Sequence, residues 1–405
     1  MDGSSETQGF LEGLQVLDLT EGSSGFCTRL LAHMGARVVK IERPGGEASR
    51  WEGLPYREGP VSGSSLSFCC HNADKLGVTL NLDHHQGRNL FLRLADKSDA
   101  VVESFPPGRL EALGIGFGAL HRRNPRLVLA SITGFGQRGP GKYQQWCDLV
   151  ACAAGGWMSV TGASHTLPLK PHGEQSVYTA GLFAAVGILL ALRRRKSTGQ
   201  GEHVDLSVQH AVAATLEHVM VRYFHDRTVA RRQGALHWDH AFCVLPCRDG
   251  FMLVTLRHQW ETLVEWMESE GMAADLPDPR WRDVPYRIAH LDHVLHVMEK
   301  WTRTRSMAEL FETAQLMGFP WAPVHRPQEV VSSPQLTARG FFTRLTHPET
   351  GACLPCPGIP LKTGSGHTKT SGKVPRVGED NLPIFQGELG LTDEQLERLA
   401  SQGVV

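Results

Sequence analysis

Leu14-Gln15-Val16-Leu17-Asp18-Leu19, then Gly22-Ser23-Ser24-Gly25, then Arg37-Val38-Val39-Lys40-Ile41-Glu42 follow one another near the start of the chain. The first run alternates apolar and polar residues and predicts a strand; the Gly/Ser quartet predicts a turn. A helical stretch then runs to Met34, is closed by Gly35-Ala36, and leads into the third run, a second strand. Strand, turn, helix and strand within about 30 residues make a βαβ unit, which belongs to a parallel sheet. Ala100-Val101-Val102-Glu103 and Leu127-Val128-Leu129-Ala130-Ser131-Ile132 read as further strands, with a helix from Gln86 to Lys97 before them. The first 150 residues therefore predict half of a doubly wound α/β fold.

Beyond that half the pattern changes. Leu182 to Thr228 reads as helical, broken at Ser197-Thr198-Gly199-Gln200-Gly201. A region from about 240 to 325 opens with strands Phe242 to Pro246 and Phe251 to Leu256, joined by Arg248-Asp249-Gly250, a hairpin signal. Helices follow, including the amphipathic Met307-Ala308-Glu309-Leu310-Phe311. The last 65 residues are rich in Gly and Pro, with a loop-like tail from Thr363 to Pro383. A final helix starts at Thr392, where Gln395 three positions on completes a capping box. The expected organisation is a large Rossmann-like domain over residues 1–200, linker helices over 201–239, a smaller α+β domain over 240–330, and a return to the large domain over 331–405.

Composition bounds the function classes. The 405 residues carry 41 Lys and Arg against 42 Asp and Glu, so nothing marks a surface for nucleic acid. The N-terminal Met1-Asp2-Gly3-Ser4-Ser5-Glu6 lacks the layout of a signal or transit peptide, and a cytoplasmic protein is expected. The longest apolar run, Val177 to Leu192, has 16 residues and meets Arg193-Arg194-Arg195-Lys196. It falls short of the roughly 20 residues that span a bilayer, so it reads as a buried helix with a basic last turn. Nine cysteines, an odd number, do not form a disulfide framework. Cys353-x-x-Cys356 and Cys243-x3-Cys247 are poor zinc ligands, crowded by Pro355 and Pro357, so buried reduced thiols and no metal are expected. Gly22-x-x-Gly25 lacks the G-x-G-x-x-G order of a dinucleotide site.

Several strings together carry a stronger signal. They are Leu11-Glu12-Gly13-Leu14-Gln15-Val16-Leu17-Asp18-Leu19-Thr20, Leu31 through Glu42, Asp99 through Phe105, Ser131-Ile132-Thr133-Gly134-Phe135-Gly136-Gln137-Arg138-Gly139-Pro140, Thr198-Gly199-Gln200-Gly201-Glu202-His203-Val204-Asp205, and the close from Leu389 to Val405. In order and spacing they resemble the class III CoA-transferase family, which holds formyl-CoA, carnitine and succinyl-CoA-dependent transferases and α-methylacyl-CoA racemase. The resemblance implies two interlocked chains, each with a Rossmann-like large domain and a smaller middle domain. It implies acyl-CoA and organic-acid substrates, coenzyme A arriving as a thioester rather than as a resident cofactor, and no role for a membrane.

It also implies a nucleophile. An aspartate attacks the acyl-CoA thioester, forms a mixed anhydride, and becomes a CoA thioester that the acceptor acid attacks. In the family that aspartate lies four residues before the glycine opening the apolar helix; here the glycine is Gly181 and the nucleophile position is Val177. Ser104-Phe105-Pro106-Pro107-Gly108 stands where relatives carry Asn-Phe-Arg-Pro-Gly, and Gly234-Ala235-Leu236-His237-Trp238-Asp239-His240 replaces a glycine-rich covering loop. Cys147-Asp148 replaces the His-Asp pair of the racemase branch, which removes one base of a two-base proton exchange. Glu174 and Asp148 are the substitute carboxylates in reach, and His237 and His240 are candidates for acyl contact. Coenzyme A is expected at Gly22, Ser23 and Ser24, at Arg43, and at Ser104 and Phe105, with Arg50 either beside it or an exposed surface charge. Scaffold strings kept and chemical ones lost match the aspartate-deficient chain of heteromeric members such as the benzylsuccinate type. The expected partner is a homologous subunit, with a homodimer using Glu174 or a CoA-binding scaffold as the alternatives.

Overall fold

A computed structural model describes residues 9–53, 64–362 and 370–405. The readings of Met1 to Glu6 and of residues 363–369 in the tail lie outside the described residues. Six parallel strands, β1 (Gln15–Leu19), β2 (Arg37–Glu42), β3 (Leu76–Thr79), β4 (Ala100–Glu103), β5 (Val128–Thr133) and β6 (His203–Ser207), lie in the order β3-β2-β1-β4-β5-β6. Leu17 pairs with Val39 on one side and Val101 on the other, so β1 is central. The predicted βαβ unit is present: helix Gly25–His33 joins β1 to β2, and Gly35, at φ +99°, makes the left-handed turn out of it.

The period of two along the strands divides the core between the sheet's faces. Leu17, Leu19, Val39, Ile41 and Val101 point to one side, against Leu90, Phe91 and Leu94 of helix His85–Ala95 and against Ile384 and Phe385 near the C-terminus. Val16, Val38, Ala100 and Val102 point to the other, against Cys27 and Leu31 and against Ala180, Ala184 and Ile188 of helix Gln175–Thr198. The C-terminal segment also covers the sheet edge. Gly77 N–H donates to the Asp380 carboxylate at 2.7 Å and Thr79 N–H to Asn381 Oδ1 at 2.9 Å, which caps β3 where an open edge would invite pairing with another chain.

Two parts of the sequence reading change. The helical pattern from Leu182 to Thr228 is interrupted by β6, whose alternation of His203-Val204-Asp205-Leu206-Ser207 is half-buried at the sheet edge and stands between two helices. The Gly/Pro-rich C-terminal region contains a hairpin of β10 (Phe342–Thr346) and β11 (Cys353–Pro357), with Pro355 and Pro357 on a two-stranded ribbon that tolerates them. Cys353 and Cys356 stand on opposite faces of β11, the first exposed and the second buried.

The apolar run of Val177 to Leu192 lies in one helix, Gln175–Thr198, stopped by Gly199 at φ +71°. Its basic last turn is partly internal, since buried Arg195 reaches Asp99 at 2.8 Å. The helix is buried on one face only: Leu182, Phe183, Val186 and Leu190 are exposed. By length and apolarity it meets the requirement for a membrane span, with half of its apolar window buried against the protein.

The chain forms two compact units, one of residues 1–157, 171–221 and 335–405, the other of residues 158–170 and 222–334. The second holds the antiparallel sheet of β7 (Phe242–Pro246), β8 (Phe251–Thr255) and β9 (Ala322–Pro323), with β7 and β8 in the predicted hairpin. Helices Trp260–Ser269, Leu291–Thr302 and Met307–Leu316 complete it around Trp266, Trp301 and Trp321. Trp266 and Trp301 meet edge to face at 4.6 Å between ring centres.

Candidate active site

In an open parallel sheet, ligands settle at the C-terminal ends of the strands where the order reverses, because the loops on either side diverge there. That point lies between β1 and β4. A cleft of about 160 Å³ opens beside it, lined among others by Leu19 and Glu21 after β1, Ile41 and Arg43 after β2, Leu80 after β3, and Phe105 and Arg109 after β4. Arg43 and Phe105 thus share one cleft. Ser104 ties its rim, since its Oγ accepts the Glu21 N–H at 2.9 Å. Phe105 is fixed from behind: its N–H donates to Glu103 Oε2 at 2.6 Å. Burial drives the Glu103 carboxyl up to about 7, against the hydrogen bonds from Ser131 and Phe105.

Gly22, Ser23 and Ser24 form a single turn that runs into helix Gly25–His33. Gly22, at φ +58°, donates its N–H to Glu47 Oε1 at 3.3 Å, and Ser24 is buried. Beneath the turn lies a charged layer that sequence reading missed. Asp18 meets Lys75 at 2.8 Å and accepts from Thr20 and Thr28; Lys75 also donates to the Gly25 carbonyl at 3.0 Å and to Asn72 at 2.8 Å. Lys40 reaches Glu47 at 2.5 Å and donates to the Thr20 carbonyl. Burial alone raises the Asp18 carboxyl, and the ammonium groups of Lys75 and Lys40 outweigh it and bring it down to about 2. The alternation of β1 and β2 put Asp18 and Lys40 on strands, yet nothing in sequence pairs either with Lys75.

Arg50 is corrected outright. It is 0 % exposed, neither a surface charge nor a group facing the cleft. Its guanidinium holds Glu42 through two bonds of 2.7 and 2.6 Å, donates to the Pro375 carbonyl, and lies 4.0 Å above the Phe68 ring. Arg109 was the residue overlooked. Pro106 removes the cation expected there, and Arg109, three positions on, supplies a guanidinium to the same cleft, paired with Asp83.

The nucleophile position lies in the first turn of helix Gln175–Thr198. Val177 is buried, and no charge replaces it. Asp148 is 8 % exposed and turned toward the same helix, where its Oδ1 accepts from Ser176 N–H at 3.0 Å and Ser176 Oγ at 2.7 Å. It therefore caps this helix start. A Cβ on Gly181 would stand 3.2 Å from the Phe26 ring, so glycine lets helix Gly25–His33 close against this turn. Tyr178 packs edge-on against Phe26 at 5.1 Å, and its hydroxyl lies 3.1 Å from His71 Nε2. Burial pushes His71 down to about 3, helped by the charges of Lys75 and Arg29, so this imidazole is neutral. Glu174 is exposed just before the helix, and after burial its charge is the next cause holding the Tyr178 hydroxyl above its usual range. Val177, Glu174 and Asp148 thus surround one helix start, with Ser23 at Tyr178. His237 and His240 belong to the second unit; His237 Nδ1 pairs with Asp239 at 2.5 Å, and His240 adopts φ +58°.

Comparison with known proteins bears out the resemblance. The profile described as CoA-transferase family III matches residues 11–381. The chain is 32 % identical, over 401 residues, to succinyl-CoA:(R)-benzylsuccinate CoA-transferase subunit BbsE of Thauera aromatica, covering 96 % of this chain and 97 % of that one. It is also 32 % identical, over 415 residues, to formyl-CoA:oxalate CoA-transferase of Streptomyces avermitilis, covering 98 % and 99 %. Its fold matches the crystal structure of a CAIB/BAIF family protein from Brucella suis with a TM-score of 0.86 at 25 % identity, over 94 % of this chain and 99 % of that one. Profile, sequence relatives and fold agree, and the chain belongs to CoA-transferase family III.

Proposed function

We propose that this chain is the aspartate-deficient subunit of a heteromeric CoA-transferase that moves CoA from a dicarboxyl-CoA such as succinyl-CoA to an organic acid. The observation that carries the reading is the helix start at Val177. A buried apolar side chain occupies the nucleophile position, and Asp148, a buried carboxylate at the same helix start, accepts from the Ser176 N–H and hydroxyl. The switch-point cleft keeps Arg43, Arg109 and Phe105, which suit a nucleotide phosphate and an apolar wall. On this reading the homologous partner supplies the aspartate. That aspartate attacks the thioester carbonyl and expels CoA as thiolate; the thiolate attacks the mixed anhydride, releases the donor acid, and leaves an aspartyl-CoA thioester for the acceptor carboxylate.

A partner of the same family also fits the exposed stripe of Leu182, Phe183, Val186 and Leu190, since two such helices would bury each other's apolar faces in an interlocked dimer. The relative named as a subunit supports a heteromer. A cytoplasmic setting, with acyl-CoA and acid substrates and no nucleic acid or membrane, goes with it. A second reading, a homodimer using Glu174, is favoured by one observation: that carboxylate is exposed and its charge is felt at Tyr178.

The test is intact-mass analysis of the chain purified alone, incubated with succinyl-CoA and quenched with hydroxylamine. The mass is expected to remain unchanged, with a hydroxamate appearing on the partner's aspartate when the two are combined. A hydroxamate on Glu174 in the isolated chain, abolished by Glu174→Gln, would overturn the subunit reading in favour of the homodimer.

A further inference from the structure

Nine cysteines are present, and two of them touch. Cys70, half-buried in helix Leu66–Asn72, and Cys356, buried in β11, bring their sulfurs to 3.3 Å in one shared hydrogen bond. They are 286 positions apart in sequence, so only the return of the C-terminal segment brings them together. A cation stands on the far side of the contact. Arg29 Nη2 lies 3.3 Å from Cys356 Sγ and also donates to the Pro357 carbonyl, while its Nε faces His33 at 3.4 Å. The hydrogen bond with Cys70 and the Arg29 guanidinium bring the Cys356 thiol down to about 7 against burial, while the same bond and burial hold the Cys70 thiol well above its usual range, so the shared proton sits on Cys70; burial pushes Cys27, Cys69 and Cys243 up to about 12. The same pair adjoins the candidate active site: His71, next in sequence to Cys70, meets the Tyr178 hydroxyl at 3.1 Å.

We propose that Cys70 and Cys356 form a reversible thiol–disulfide switch, closed by a low-molecular-weight disulfide such as glutathione disulfide, which ties helix Leu66–Asn72 to β11 and displaces His71 from Tyr178. Exchange starts at Cys70, the less buried of the two residues. As Cys70 passes its proton to the Cys356 thiolate, its sulfur attacks one sulfur of glutathione disulfide, breaks that S–S bond, and releases a first glutathione thiolate, which takes the proton from Cys356 and restores the Cys356 thiolate. The Cys356 thiolate then attacks the Cys70 sulfur, forms the protein disulfide, and releases a second glutathione thiolate, which is protonated from solvent. Two protein thiols lose two electrons in total, and one glutathione disulfide becomes two glutathione thiols. Closure shortens the sulfur separation from 3.3 Å to about 2 Å, a shift that one short helix can absorb.

The experiment uses the full reduced chain, equilibrated over a series of glutathione disulfide to glutathione ratios, acid-quenched, alkylated with iodoacetamide and peptide-mapped. The expected product is one bridged pair of peptides carrying Cys70 and Cys356, reopened by dithiothreitol, with Cys69 still a thiol. Cys356→Ser is expected to stop at a glutathione mixed disulfide on Cys70. Arg29→Gln is expected to slow bridging at pH 7 by about tenfold and to recover at pH 9, as thiolate-limited exchange requires. Histidine-selective 13C spectra of the wild-type chain are expected to show the His71 resonance moving on closure. Should wild-type Cys70 accumulate as the mixed disulfide with Cys356 free, or both stay alkylatable at every ratio, the switch does not exist. A bridge that leaves the His71 resonance unmoved would overturn its coupling to the site. The wild-type mapping decides the matter even if a variant fails to fold.

Discussion

Lys75→Met tests the buried charge layer under the candidate site. Lys75 and Asp18 are both 0 % exposed at their side chains and 2.8 Å apart. Removing the ammonium leaves the Asp18 carboxylate buried with Lys40 as its remaining cation, and the Gly25 carbonyl and Asn72 lose a donor. Asp18 is held at about 2 rather than 3.8, which corresponds to roughly 2 kcal/mol of folding free energy. Its sign follows from the lowered value: the contribution is present above pH 3.8 and disappears as pH falls through about 2. Breaking one partner of a buried pair costs about 3–5 kcal/mol, because the other charge is left without compensation. Scanning calorimetry at pH 7 should therefore show the transition of the first unit lowered by roughly 5–10 °C. The double variant Asp18→Asn, Lys75→Met should recover more than half of that loss, since no charge is then stranded. A loss below about 1 kcal/mol for the single variant, or a double variant no better than the single, would refute the reasoning.

Further outcomes follow from the same geometry. Asp148→Ala leaves the Ser176 N–H and hydroxyl without their acceptor, and about 2–3 kcal/mol should be lost in denaturant titration while CoA affinity holds. His71 is held at about 3 instead of 6.5, so its neutral form stabilises the fold above pH 6.5 and that contribution is lost as pH falls toward 3. About 2 kcal/mol should be missing at pH 5, and His71→Gln should flatten this limb in urea titrations run from pH 7 to pH 5. Glu103 runs the other way: raised from 4.5 to about 7, it favours the folded state below pH 4.5 and loses that contribution as pH rises through 7. The deficit should reach about 3 kcal/mol at pH 8, measured against Glu103→Gln. Arg43→Ala and Arg109→Ala, both at exposed groups, should each weaken CoA binding about fivefold by calorimetric titration, and unchanged affinity in both would place CoA elsewhere.

Much of this protein is local enough to be legible in its sequence. The alternation of Leu14 to Leu19 and Arg37 to Glu42, the Gly/Ser turn between them, the hairpin at Arg248-Asp249-Gly250 and the Thr392 capping box are set by neighbours a few positions apart, and each has its structural counterpart. The ordered strings gave the family because a shared scaffold leaves its packing residues at fixed spacing. Strand β6 escaped notice because an edge strand of five residues between long helices has too few repeats to declare a period.

What tertiary structure decided is the fate of charges and sulfurs. Arg43 and Arg50 are seven residues apart and look alike in sequence, yet one lines the cleft and the other is sealed against Glu42 and Phe68. Asp148 could be counted as a spare carboxylate until Ser176, 28 positions on, was found holding it. Arg109 reaches the cleft only because β4 ends at the switch point, and Cys70 meets Cys356 only because the C-terminal segment folds back along the sheet. Backbone periodicity is a property of adjacent residues, so the sequence alone determined the inner strands β1, β2, β4 and β5 and the family. The state of a buried charge or thiol depends on which distant group comes within a few ångströms of it, and only the folded chain settles that.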